Sequence, residues 1–401
     1  MSWTQHLASG FTELGHEVAV VSSTKSGRAR SSWGHQKWGG HWSAYAPSVV
    51  VKDDLLAETL AGFDFVVLPE PKVPALDKEA VKNGTTPLYV DALLKSGTRY
   101  SFALHGNDYD DASAPFFKLL ADSHGWNGTM ISHSLRSVQS IEAYIRGFAE
   151  FLDSPLPYAP KREIDFVSSG PRQRVAGTTG RFMFNKGSHV AALAAAYMHP
   201  DTRVDLWGSA ATGLGASTTF VTYEGLLEQA EWYQRYGDQE EKKNHPKATE
   251  HGNIIRPFPW EMKLKTGQHV RYLGNYTDPI LVCEGLTVHI NLTGYKYSGG
   301  LVEYSTLEAM DAGSYCMAPK HVANERFSMA TIDLENPPGG VKTALKNTEL
   351  LKSVADTVDT LMESALDGNH EEAVRYNREV IRDYNDPKKV ATLFLEGAFD
   401  Q

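Results

Sequence analysis

Hydrophobic and polar positions over the first 160 residues alternate between two rhythms. "WTQHLASGFTELG", Trp3 to Gly15, sets apolar residues at helical spacing and closes on glycine, and "EVAVVSS" follows as a short apolar strand before a polar loop. "DDLLAETLAGF" repeats the helical spacing behind an Asp start, and "DFVVLPEP" is a buried strand stopped by prolines. "RYSFALHGND" and "GTMISHS" are two further strand candidates, each ending in polar residues. Strands separated by helices of about 10–15 residues predict a parallel sheet, and ligands collect at the carboxyl ends of such strands.

"SPLPYAPKREIDFVSSGPRQRVAGTTG", residues 154–180, is rich in Pro, Gly and Ser and reads as a linker. The alternation then restarts with the strand "RFMFNKG", the helix "SHVAALAAAYMHP" and the strand "TRVDLWGS". The charged stretch Tyr223 to Gln268 interrupts it and reads as an insertion. Next come "HVRYLGNY", the strand "LTVHINLTG", a helix inside "SGGLVEYSTLEAMDAG" and the strand "SYCMAPK"; "EEAVRYNREVIRDYN" and "DPKKVATLFLEGAF" finish the chain as helices. The expectation is an α/β protein of two Rossmann-like domains facing across a cleft. Residues 1–160, joined by the last helix, 386–401, make one domain, and residues 165–385 the other. A doubly wound domain normally opens with a strand and a glycine-rich turn, whereas this chain opens inside the helix that should follow. Either that strand is cut from the start, or the N-terminal sheet is built without it.

Length agrees with two domains, since 401 residues exceed a typical single core. The 41% hydrophobic and 22% charged content is that of an ordinary soluble globular protein. Without an apolar run near 18 residues, no membrane span is expected, and the N-terminus lacks the basic start and apolar core of a signal peptide. Cys283 and Cys316 are the only cysteines, which excludes a disulfide framework or a cysteine zinc cluster and suits a reducing cytosol. The net charge of -10 argues mildly against nonspecific polyanion binding. One loop runs the other way. In "TKSGRARSSWGHQKW" and the residues after it, Lys25, Arg28, Arg30 and Lys37 occur with no acid before Trp42, interleaved with Trp33, His35, Trp38 and Trp42. Cations for phosphates and rings for unstacked bases compose a nucleic-acid contact. A flexible solvated loop has the same composition.

Two segments carry candidate chemistry. In "GRFMFNKGSHVAALAA", Arg181 and Lys186 bracket a strand-to-turn transition and Gly187-Ser188 starts a helix. Two cations beside a helix N-terminus make a pyrophosphate site, because the dipole and the free N–H groups both favour an anion. In "SGGLVEYSTLEAMDAG", Gly299 and Gly300 allow close approach of backbone to ligand, and a helix starting near Tyr304, Ser305 and Thr306 offers amides and hydroxyls to a diphosphate. Glu303 precedes it, Glu308 is placed to grip vicinal ribose hydroxyls, and Gly313 ends the helix. Solvated cations at a strand end, and a glutamate stabilised by the helix dipole, are the plainer readings. His105 closes the strand "YSFALH", Asp108 is a candidate to take an acceptor proton, and His133 in "ISHS" is a weaker acceptor-site candidate. No HExxH motif or calcium loop occurs, and "DYDDAS" reads as a solvated turn.

Taken together, Arg-x4-Lys-Gly, a gap of about 110–120 residues, and a strand, glycines and "LEAM-x-AG" resemble the retaining glycosyltransferases of the GT-B architecture. "VRYLGNYTD" resembles that family's V-x-F-x-G-x-(V/Y) segment. The resemblance covers the C-terminal half, and extends to the N-terminal half through "GHEV" and the strand pattern. It implies that Arg181 and Lys186 neutralise the donor diphosphate as it leaves, that Glu308 holds the ribose, and that His105 lies against the donor sugar. One departure stands out: the first acid of the family's E-x7-E pair falls at Gly300, and Glu303 lies three residues later. Within the family, "GLVEYSTLEAMDAG" is similar to the "LEYTHLE-x-x-A-x-G" segment of the T-even bacteriophage DNA α-glucosyltransferases, "ALHGND" to their "QHD" strand end, and the basic loop to one of theirs. That likeness implies glucose transfer from UDP-glucose to a hydroxymethylated pyrimidine, such as 5-hydroxymethylcytosine, in double-stranded phage DNA. The enzyme would work in the cytoplasm of an infected bacterium, away from any membrane. It implies no required cofactor; a divalent ion such as Mg is compatible with the reaction but not indicated. The same donor machinery acting on a cell-envelope glycan or a small molecule is the alternative.

Overall fold

A computed structural model describes residues 2–23, 46–69, 86, 88–104, 130–133, 151–166, 172–211, 249–251, 254–256, 259–274, 276, 278–295 and 302–399. The chain forms two compact units, one built from residues among 1–159 and 382–401, the other from residues among 160–298 and 302–381. Among the described residues, no helix is long and apolar enough to cross a membrane.

In the first unit the helix Ser2–Glu13 is followed by β1 (Val20–Ser23), which pairs in parallel with β2 (Ser48–Val51). A four-stranded parallel sheet follows, with β3 (Phe65–Pro69), β4 (Arg99–Leu104), β5 (Met130–Ser132) and β6 (Phe151–Asp153) in that order. The helices Leu56–Ala61 and Leu88–Ser96 press Leu56, Leu60, Val90 and Leu93 against Tyr100 and Phe102 of β4. β2 and β6 were not among the expected strands. The C-terminal helix, Pro387–Phe399, lies against Ser2–Glu13, with Phe394 edge-on to Trp3 at 6.1 Å. The two helices nearly touch at Gly10, where a Cβ would sit 2.0 Å from the Pro387 carbonyl oxygen.

The second unit carries a larger sheet. Its parallel core, in spatial order, is β12 (His269–Gly274), β8 (Arg203–Ala211), β7 (Val175–Phe182), β13 (Val288–Ile290), β14 (Tyr315–Pro319) and β15 (Ala330–Ile332). Three antiparallel strands extend it: β9 (Thr249–His251), β10 (Ile254–Arg256) and β11 (Trp260–Lys263). These come from the charged stretch read as an insertion, whose end is therefore woven into the sheet.

A second correction concerns the linker. β7 starts at Val175, so "VAGTTG", read as linker, is strand, and "RFMFNKG" supplies the strand end and a 3-10 turn at Phe184–Lys186. Gly177 shows why the pattern misleads. A Cβ there would lie 2.4 Å from the Asp205 carbonyl oxygen, so close strand packing excludes the apolar side chain that would have marked a strand.

From β7 the chain adds β8 and then β12 on one side, then returns to lay β13 on the other. β7 and β13 thus flank a topological switch point, the place where an open parallel sheet leaves a crevice at its carboxyl edge. The core beneath includes Val190, Leu193, Val204, Leu206, Val288 and Ile290, all at most 1% exposed.

Candidate functional site

The candidate donor residues described in the second unit gather around that switch point. β7 delivers Arg181, exposed, at its carboxyl end, and the following 3-10 turn ends on Lys186. Gly187 then turns left-handed (φ 69°) into the helix Ser188–Ala194. Its φ and its setting both require glycine, since a Cβ would sit 2.4 Å from that of Leu292 in the turn after β13. The two turns are further tied by the Gly294 amide, which donates to the Asn185 carbonyl at 2.8 Å. The tips of β7 and β13 therefore form one braced rim.

Across this rim stands the helix Tyr304–Ala312, with Glu303 at its N-cap. The Lys186 ammonium donates to Glu303 Oε1 in an ion pair. Glu303 Oε2 accepts from Thr293 Oγ1 at 2.8 Å and from Asn291 Nδ2 at 3.4 Å. Burial alone would raise the Glu303 carboxyl, but the Lys186 charge, these hydrogen bonds and the Arg181 charge outweigh it and hold the group below its ordinary value. His289 of β13, whose Nε2 lies 3.1 Å from Thr179 Oγ1, is pushed down to about 4 by burial, partly offset by the Glu303 charge. It is neutral at physiological pH.

Glu308 opens the second turn of the same helix and is 9% exposed. Burial, then the charges of Asp278 and Asp311, push its carboxyl up to about 8 against an opposing pull from Lys161. Its neighbours Tyr304, Tyr276 and Cys283 are raised too, burial first and the Glu308 charge second. Among the described residues, no hydrogen bond or ion pair joins Glu308 to Arg181 or Lys186.

The helix is fastened at its far end. Gly313 caps it in a left-handed conformation (φ 96°), and Arg172 Nη2 and Arg378 Nε donate to the Gly313 and Asp311 carbonyls at 2.7 and 2.9 Å. Guanidinium groups there satisfy orphan carbonyls and oppose the dipole. The Asp311 carboxylate accepts the Lys161 and Arg162 amides at 2.7 and 3.2 Å, pinning the segment that enters the unit.

Of the expected donor residues, Arg181, Lys186, Gly187 and Glu303 meet at the rim, and Tyr304, Ser305 and Glu308 lie along the helix. Thr306 is turned inward. Its hydroxyl accepts from Asn291 Nδ2 at 2.9 Å, its amide donates to the Glu303 carbonyl at 2.9 Å, and the residue is fully buried. His133 is buried in the first unit, with Nε2 accepting from Trp3 Nε1 at 2.8 Å and Nδ1 2.9 Å from the Ser154 carbonyl; burial drives it down to about 4. Both ring nitrogens are engaged in holding that unit together. His105, Asp108, Gly300, Lys25, Arg28, Arg30, Trp33, His35, Lys37 and Trp38 lie outside the described residues. Sequence reasoning passed over Asn291 and Thr293, although "NLTG" directly after an apolar strand was an available signal.

Cys283 and Cys316 are free and buried. Among the described residues, no group of three or more His, Cys, Asp or Glu side chains is arranged for a metal.

No protein-family model matches the chain, and no curated protein does. Its fold is that of the GT-B proteins. Solved structures sharing it include HepE of Anabaena in complex with UDP and glucose, 12% identical, with TM-score 0.54 over 89% of this chain and 87% of that one. The complex of the same protein with UDP-glucose aligns equally well, at 12% identity and TM-score 0.54. AviGT4, a glycosyltransferase involved in avilamycin A biosynthesis, is 13% identical with TM-score 0.50, over 99% of this chain and 87% of that one.

Proposed function

We propose that the protein is a retaining hexosyltransferase whose donor is a UDP-sugar, UDP-glucose first. One observation carries this reading. Arg181 and Lys186 converge on a single carboxylate at the switch-point rim, beside the N-terminus of the helix that bears Glu308. Such a rim fits an anion flanked by a ribose. That HepE binds UDP-glucose on the same fold supports it.

In the reaction the bond from the anomeric carbon to the β-phosphate oxygen breaks, and the electron pair leaves with UDP. A bond from that carbon to the acceptor hydroxyl oxygen forms on the same face, and the acceptor proton passes to a base, for which Asp108 is the candidate. Arg181 and Lys186 stabilise the charge growing on the departing diphosphate, a preorganised electrostatic task. Glu308, protonated at neutral pH in the free protein, both donates to and accepts from ribose hydroxyls.

For the acceptor we infer a hydroxymethylated pyrimidine in DNA, supported by the cationic tryptophan loop from Lys25 to Trp42 and by the "LVEYSTLE" likeness. A glycan or small-molecule acceptor is the second reading, favoured by the fold shared with AviGT4. Incubation with UDP-glucose and DNA containing 5-hydroxymethylcytosine, followed by mass spectrometry of the nucleosides, should yield a hexosylated base. UDP release without acceptor reports the donor half alone, and Lys186→Met should slow it about 10²–10³-fold. Should none of a panel of sugar nucleotides be consumed, with or without DNA, the transferase reading is lost.

A further inference from the structure

We propose that Glu303 is a positioning residue that serves as a built-in counter-anion. In the empty site its carboxylate occupies Lys186, and the donor diphosphate must displace it to bind. This rests on the donor reading above and adds to it a residue that acts through Lys186.

Glu303 is clamped from two sides. Oε1 takes the Lys186 ammonium, while Oε2 takes Thr293 Oγ1 at 2.8 Å and Asn291 Nδ2 at 3.4 Å. Asn291 is itself fixed, with Oδ1 accepting the Thr293 amide and Nδ2 donating to Thr306 Oγ1, both at 2.9 Å. An acid that merely met a lysine at the surface would lack this support. The helix start argues the same way. An N-cap side chain usually returns to the first free amides, and the Glu303 side chain makes no such bond. It reaches outward to Lys186 instead, leaving the helix N-terminus open to an incoming anion.

The electrostatics give the arrangement a consequence. Only 23% of the Lys186 side chain and 19% of that of Glu303 are exposed, so solvent ions screen the pair weakly. The Arg181 charge bears on the same carboxylate. Two cations thus face one fixed anion before any ligand arrives. An entering group must carry enough charge to take Lys186 away from a carboxylate already hydrogen-bonded to it. A diphosphate does; a monoanion gains little. After transfer, the same carboxylate recaptures Lys186 and hastens departure of UDP. In the empty enzyme it also keeps the lysine aimed at the rim rather than sampling rotamers.

The test measures UDP affinity by calorimetry, and UDP-glucose turnover, for the wild-type chain, Glu303→Gln, Glu303→Ala and Lys186→Met. Both Glu303 variants should bind UDP about tenfold more tightly, the scale of one partly buried charge interaction, while kcat falls about as much. A purely structural glutamate would weaken UDP binding when replaced, so the sign separates the roles. Inorganic phosphate supplies a second reading: its affinity should also rise in Glu303→Gln, because an anion taking Lys186 no longer has to displace a carboxylate. UDP binding that is unchanged or weaker in both Glu303 variants, with Lys186→Met still impairing it, overturns the counter-anion and leaves the donor site standing. If the wild-type chain binds no UDP and Lys186→Met changes nothing, the donor reading fails and takes this proposal with it.

Discussion

Glu303 and Glu308 sit five residues apart on one helix, and their surroundings drive them in opposite directions. Lys186, Thr293 and Arg181 keep Glu303 ionised, whereas burial beside Asp278 and Asp311 keeps a proton on Glu308 up to about pH 8. The second effect is measurable in the absence of substrate. Because the folded Glu308 holds its proton to about 8 and the ordinary value is 4.5, the folded chain binds more protons than the unfolded one between those limits. Stability contributed by this group is therefore complete below the lower value and is lost as pH rises through the upper one. In calorimetric melts carried from below that range to about pH 9, Glu308→Gln should flatten the decline between the two values and melt above wild type at the top of the series. Parallel curves for the two proteins would show that Glu308 does not titrate as described. The spacing of the two acids was visible in the sequence, but not this divergence. Asn291, Thr293, Asp278 and Lys161 reach the helix from other segments, and only the order of β7 and β13 brings them there.

The helix Tyr304–Ala312 is the element on which both acids depend, and its ends were unequally legible. Gly313 announces a C-cap, and the helix does end there. The guanidinium groups that hold that end, from Arg172 and Arg378, leave no trace in local sequence because they arrive from 141 and 67 residues away. Gly313 is doubly constrained. Its φ of 96° disfavours any L side chain, and a Cβ would approach Arg378 Nη2 to 3.0 Å and Arg172 Nη2 to 3.2 Å. Gly313→Ala should cost about 2–3 kcal/mol of unfolding free energy, from the left-handed backbone and the displaced guanidiniums together. A shifted C-terminus also moves the rim, so the UDP-glucose KM should rise in the folded fraction of this variant. Urea titration and initial rates would check both, and a variant matching wild type in each would refute the clamp. The glycine logic that revealed this cap concealed β7, where Gly177 and Gly180 mimic a loop.

On the scale of the molecule, the repeated alternation of strand and helix was enough to expect two α/β domains, and the motif resemblance to expect a GT-B fold, which the chain has. What the alternation did not show was strand made from unlike material. β9 to β11 arise in a charged stretch, because edge-forming antiparallel strands tolerate polar residues that a central parallel strand would exclude. The proposed acceptor belongs to this scale as well, since the cationic stretch from Lys25 to Trp42 lies in the N-terminal part of the sequence and the proposed donor rim in the second unit. Arg28→Ala combined with Arg30→Ala should abolish hexosylation of hydroxymethylated DNA while UDP-glucose hydrolysis continues near the wild-type rate. Equal loss of both reactions, or of neither, would favour the glycan or small-molecule reading.

The seating of Pro387–Phe399 on Ser2–Glu13 has a bearing on biosynthesis. The helix Ser2–Glu13 closes against Pro387–Phe399, so the first unit cannot finish its core until that distant segment has left the ribosome. Trp3 and Phe11 stay uncovered by Phe394 until it emerges, whereas the described strands of the second unit's sheet are all present once Ile332 has emerged. The second unit's sheet can therefore assemble before the first unit's core is complete.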